Sequence, residues 1–235
     1  MTPKDIEDPG VATFENAKRL HEDAELLEEM DRFPTAFALA VLAQEEYAKA
    51  FMLHLASEQA FKPDATLSKA LSNHLCKQLV ALIMEYLQRK DFFELRNEPG
   101  IYCNVRNLPK YVIDAIHIIV HEYTRGLKRH DWLDPDDRKV DPKANRIATG
   151  VIDREKQNGF YVRLTTDGIV RNKPDSISAK QCRLEMERTA KVADAVWVSD
   201  GKLKTGASLE LPKIIALFQV LSGLMSVEEF NRNWW

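Results

Sequence analysis

The sequence predicts a mainly α-helical bundle carrying one short β-hairpin. Apolar residues recur every three or four positions along most of the chain, the mark of helices with one buried face. Near residue 160 that period drops to two, as it does in a strand. Internal repeats and low-complexity tracts are absent from the sequence, which argues against a solenoid. With 235 residues, 45% hydrophobic and 29% charged, the chain can bury one ordinary globular core.

The elements follow in order. After a polar lead-in closed by Pro9 and Gly10, Thr13 stands where an N-cap belongs, and Phe14, Ala17, Leu20, Ala24 and Leu27 mark a first helix. Phe33 and Pro34 break it, and Pro34 suits the first turn of a second helix because its missing N–H is not needed there. That helix runs to about Ser57, with Phe37, Leu39, Leu42, Ala43, Tyr47, Phe51 and Leu55 buried and Gln44, Glu45, Glu46 and Lys49 forming a polar side. A stripe from Leu67 through Leu71, Leu75, Leu79 and Ile83 to Leu87 predicts a third helix, on which His74, Lys77 and Gln78 lie close together. Asp91 to Leu108 is less regular and leads to Pro109 and a fourth helix with Ile113, Ile116, Val120, Tyr123 and Leu127. Asp131 to about Ile147 reads as an exposed loop. Phe160, Val162 and Leu164 alternate before an Asp167-Gly168 turn and Ile169-Val170, which predicts a hairpin at about 159–171. Ser178 caps a helix to about Val198, Gly201 to Gly206 is a loop, and Leu211 to Phe230 is helical. One domain over about residues 11–200, with a C-terminal helical extension at 207–235 packed on it, is the expected organisation.

A formal charge of −3 and a pI near 6.1 exclude a protein that coats nucleic acid through a strongly basic surface. Cys76, Cys103 and Cys182 are odd in number and form no CxxC, so neither a disulfide framework nor a cysteine zinc site is indicated. No apolar run approaches the roughly 20 residues that span a bilayer, and the acidic start lacks a signal peptide's apolar stretch. A cytoplasmic protein is expected. P-loop, GxGxxG and Ser or Cys nucleophile signatures are missing, which leaves nucleotide hydrolysis, hydride transfer and ester chemistry without support.

Four stretches carry a family likeness: Glu15–Leu27 (ENAKRLHEDAELL), Ala36–Ala50 (AFALAVLAQEEYAKA), the His74-x-x-Lys77 pair, and Lys156–Gly168 (KQNGFYVRLTTDG) followed by Pro174 and the helix from Ser178. In this order, over about residues 11 to 195, they resemble the AbiV branch of the HEPN superfamily. The resemblance implies a HEPN-type helical bundle that dimerises through its helices and a role in defence against phage. In many HEPN proteins it also implies metal-independent endoribonuclease activity from an Arg-x(4 to 6)-His motif shared between two protomers, while other HEPN domains only bind or assemble. The region Asp91 to Arg146 is longer and less regular than the family pattern.

Arg125-Gly-Leu-Lys-Arg-His130 fits that motif. Metal-free RNA cleavage needs a proton acceptor for the 2′-hydroxyl and a cation for the phosphorane, which a histidine and a guanidinium supply. The same residues also fit a solvated basic helix end favoured by the helix dipole. Glu45, Glu46, Lys49, His74 and Lys77 form a second constellation, which the resemblance sets in a polar groove with Lys156 and Tyr161, there to position RNA or orient the catalytic pair. The plainer reading is a buried network between the second and third helices, in which Glu46 neutralises Lys77 or His74. His117 and His121, with Glu122 beside them, have zinc-like spacing but no evident third ligand, so no metal and no cofactor is expected. Phe160, Tyr161 and Trp132 can stack on bases or pack on helices.

The expectation is therefore a homodimeric cytosolic effector of abortive infection that acts on RNA, with a phage protein as activator, and with no membrane or DNA partner. Arg125 and His130 are the expected catalytic pair. The rival is a non-catalytic HEPN module that inhibits translation by binding RNA or a protein, and a metal-binding bundle using His117 and His121 stands third.

Overall fold

The computed structural model describes residues 3–60, 64–87, 108–133, 139–205 and 211–234. Within them the chain is mostly helical, with two small antiparallel strand pairs. The first helix, α1, spans Pro3–Glu29 and so begins well before Thr13. Thr13 is not a cap: it lies inside the helix, its hydroxyl donating to the Pro9 carbonyl at 2.7 Å. Gly10 is buried where a Cβ would already touch Leu53 and Leu203.

The second helix, α2, spans Phe33–Ser57 with Pro34 in its first turn. It is apolar all round, as a central helix must be. Its many alanines let α1 approach closely on one side, while later helices cover the others. The expected polar side is not solvated, since Gln44 and Glu45 are both buried.

The leucine stripe after residue 65 belongs to two helices rather than one, α3 at Ala65–Ser72 and α4 at His74–Tyr86. Asn73, in an extended conformation, ends the first and caps the second by accepting from Cys76 N–H at 3.0 Å. Helix α5 covers Lys110–Ile118 and runs into a π-helical turn, Ile119–Thr124, that stops at Gly126 with φ +69°. The segment read as a loop contains a short helix, α6 at Arg129–Trp132, and α7 at Pro142–Ala148, whose Ala144 and Ile147 are buried. Asp141 caps α7 by accepting from Lys143 N–H.

A further helix, α8 at Val151–Phe160, takes the start of the expected hairpin, which is therefore shorter: β1 is Arg163–Leu164 and β2 is Val170–Asn172. Ser178 and Gln181 form a capping box at the head of α9, Ala179–Ala193. That helix ends earlier than expected, and a second hairpin follows, β3 at Val196–Ser199 and β4 at Lys202–Thr205. Its Asp200 and Gly201 both have positive φ, as a two-residue type I′ turn requires. The last expected helix is two, α10 at Leu211–Leu221 and α11 at Val227–Trp234, separated at Gly223. The irregular stretch at 88–107, Cys103 within it, and Trp235 of the terminal Trp pair lie outside the described residues.

Helix α8 reaches α2 only because residue 159 has no side chain. A Cβ there would lie 2.4 Å from the Pro34 carbonyl oxygen and 2.9 Å from the Ala38 Cβ. Backbone cannot yield as a flexible side chain would, so Gly159→Ala should push α8 off α2 and lower stability by about 1–3 kcal/mol. A fall in the urea midpoint at unchanged m-value checks this.

Candidate functional site

Glu45 sits midway along α2 with its side chain 1% exposed. An ionised carboxylate there is tolerable only if its lone pairs are filled. Three helices fill them. From α4, His74 Nδ1 lies 2.5 Å from Oε2 and Gln78 Nε2 donates to Oε1 at 2.8 Å. From α8, Lys156 Nζ donates to Oε1 at 2.7 Å, and Lys77 Nζ stands 3.5 Å from Oε2. His74, Lys77 and Gln78 converge because residues three and four apart share a helix face.

The network spreads outward. Glu46 pairs with Lys77 and Lys49, each at 3.7 Å, and accepts from Asn16 of α1 at 3.3 Å. Lys156 also meets Asp153 at 2.8 Å, one turn back on α8. Asp153 accepts from Gln157 at 2.8 Å, and Gln157 accepts from Arg163 of β1 at 2.6 Å. Three carboxylates are thus matched by three ammonium groups, Lys49, Lys77 and Lys156. The imidazole is the part of the innermost set that meets solvent, with 53% of the His74 side chain exposed.

Glu45, His74 and Asp153 bring one ligand-type atom each within 4.8 Å of one another. Lys156 Nζ stands among those atoms, 3.2 Å from His74 Nδ1 as well as bonded to both carboxylates. The arrangement carries its own cation where a metal would otherwise be held.

Of the residues expected from sequence, Glu45, Glu46, Lys49, His74, Lys77 and Lys156 come together here. Tyr161 lies beyond the end of α8, 64% exposed, on the hairpin side of Lys156. Arg125 caps the π-helical turn and donates to the Leu221 carbonyl of α10. His130 is on α6, its side chain 75% exposed and Nε2 3.1 Å from Asp131. His117 and His121 stack on each other at 5.6 Å, and His121 on Trp132 at 5.0 Å, while Glu122 is held by Arg129. Burial, reinforced by the Arg125 charge against an opposing Glu122, keeps His121 below its ordinary pKa. Among the described residues this pair gains no third metal ligand. Asp153 and Gln78 complete the cluster, and Asp153 escaped the sequence reading although its spacing to Lys156 was visible. Cys76 and Cys182 are free and buried, their thiols pushed up to about 12 and about 11 by burial.

Burial alone would raise the Glu45 carboxyl, but the His74 hydrogen bond, the Lys156 charge and hydrogen bond, and the Gln78 hydrogen bond together hold it below its ordinary 4.5. The folded chain then binds fewer protons at this site than the unfolded one. Its contribution to stability is complete above about 4.5 and is lost as pH falls through the folded value. Glu45→Gln should flatten this acid limb of the stability curve, read from denaturant midpoints between about pH 3 and 6. Lys156→Met leaves Glu45 and Asp153 facing each other without their shared cation and should cost about 3–5 kcal/mol, seen as a drop in Tm at neutral pH.

A search of curated proteins and one of solved structures returned no match. A family model described as AbiV, HEPN_AbiV, matches residues 5–193. That span holds α1 through α9 and every member of the Glu45 cluster. By that match, over most of its length, the chain belongs to the AbiV family, an abortive-infection type of HEPN protein.

Proposed function

We propose that the protein is an antiphage effector that acts on RNA in the cytosol as a metal-independent endoribonuclease, with His74 transferring the proton and Glu45 orienting it. The observation that carries this reading is a half-exposed imidazole whose Nδ1 is pinned 2.5 Å from a carboxylate that solvent barely reaches. The ionised Glu45 accepts the Nδ1–H, which fixes the ring and its tautomer and leaves Nε2 to the substrate.

RNA suits such a group because it brings its own nucleophile. His74 Nε2 takes the 2′-hydroxyl proton as O2′ attacks phosphorus. The P–O5′ bond breaks, and O5′ receives a proton from the imidazolium. The products are a 2′,3′-cyclic phosphate and a 5′-hydroxyl, with no metal-bound water in the reaction. Lys49, partly exposed beside Glu46, is the cluster's cation nearest solvent and serves the phosphorane charge.

A second assignment is favoured by the openness of His130, whose side chain is the more exposed of the two histidines, with Arg125 five residues before it. The two separate in one experiment. The purified chain is incubated with total RNA in EDTA and the 3′ ends are tested for cyclic phosphate, while phage plating is scored in cells carrying the same variants. His74→Ala should slow cleavage about 10²–10⁴-fold and abolish protection. Loss confined to Arg125→Ala and His130→Ala moves the chemistry to that pair. Intact RNA with protection retained by all three variants replaces the nuclease with a module that blocks translation by binding.

A further inference from the structure

We infer that a second copy of this chain docks on the end of the molecule formed by the β1–β2 hairpin and the C-terminal half of α1, the basic hairpin of each copy seating on the acidic α1 of the other. This goes beyond the reaction above and does not rest on it.

The hairpin is an unusual surface. Phe160, Tyr161, Val162, Leu164, Ile169 and Val170 are all exposed, Ile169 at 65%. A two-stranded ribbon is at best marginally stable alone, and this one turns apolar side chains outward from both strands. An exposed apolar cluster of this kind marks a contact. Its charge is one-sided: residues 160–173 carry Arg163, Arg171 and Lys173 against a single acid, Asp167.

The end of α1 has the opposite character. Residues 22–31 carry six acidic side chains and no lysine or arginine. Glu22, Glu25, Leu26, Glu29 and Met30 recur at helical spacing and are all exposed, Met30 at 66%. Leu184 of α9 adds to this apolar strip, brought alongside by the Arg183–Glu28 pair at 3.4 Å. One surface is thus apolar with a basic border and the other apolar with an acidic border.

Both lie at the same end of the fold. Gly159, at the root of the hairpin, packs on Pro34, which directly follows the turn out of α1. Adjacent halves of opposite charge on one face are what a two-fold interface needs, because each half then meets its complement twice. Four of the six exposed hairpin residues are aliphatic, which suits a protein surface better than stacked bases.

The test uses charge reversal at exposed positions, which spares the core. Sedimentation velocity on the full chain at micromolar concentration should give a dimer, weakened by salt. Arg171→Glu with Lys173→Glu makes both halves acidic, and Glu25→Lys with Glu29→Lys makes both basic. Each double variant alone should dimerise at least about tenfold more weakly, and an equimolar mixture should recover the wild-type dimer, since both contacts are then complementary again. Ile169→Asp should leave a monomer with an unchanged helical circular dichroism spectrum. A monomeric wild type, a dimer indifferent to the charge reversals, or variants that fail to complement on mixing overturns the inference. So does a dimer that survives all these changes while the hairpin variants lose only retention of RNA.

Discussion

A carboxylate cut off from solvent, on the helix that the other elements enclose, sets the terms for the rest of this structure. Glu45 cannot remain ionised in that position unless donors are brought to it, and they come from segments far apart in sequence, His74 and Gln78 on α4 and Lys156 on α8. Each side of the bargain constrains the other. Burial makes the charge expensive, and the expense makes the mutual placement of α2, α4 and α8 specific, since sliding any of the three by one residue leaves a charge unpaired in a low dielectric. The apolar contacts of α2 supply most of the stability, and the network decides which of many apolar packings is kept.

The same network explains how a histidine can be both rigid and accessible. Asn73 stops α3 and starts α4, so His74 stands at the first residue of a helix rather than midway along one. Its ring is anchored inward through Nδ1 and open outward. Lys156, bonded to both Glu45 and Asp153, removes the negative charge that would otherwise draw a divalent ion to these ligands. Metal-independent chemistry is consistent with that local charge balance.

Periodicity exposed the elements whose buried face is apolar and concealed those whose buried face is not. Helices α1, α2, α5 and α9 were legible because leucine, alanine and isoleucine recur on them. Helix α8 was not, because the residues it turns inward include Lys156 and Gly159 beside Ile152, and these leave no stripe to read. The Leu67–Leu87 stripe was real yet merged two helices, since the bend at Asn73 keeps both facing one core. Asp200-Gly201 was visible as turn chemistry, but Val196 to Ser199 continued the helical pattern of α9 closely enough to hide a strand. The Glu45 cluster was half legible. Glu45, His74, Lys77 and Lys156 were named from family likeness, while the burial of Glu45 had a signal of its own: a helix apolar on every side has no solvated face to give a glutamate.

Helix α8 joins the two features that matter most for function, and its placement is fixed three times over. Ile152 enters the core, Lys156 and Asp153 lock into the charge network, and Gly159 allows contact with Pro34 within a distance no other residue permits. These three constraints fall on one side of the helix at intervals of four and three residues, so they fix rotation as well as position. The hairpin leaves α8 one residue after that last contact, and Arg163 ties its first strand back to Gln157. The root of the hairpin therefore cannot pivot independently of Lys156, and through Lys156 it holds a set relation to His74. Anything seated on the hairpin is, by the same geometry, positioned with respect to the imidazole.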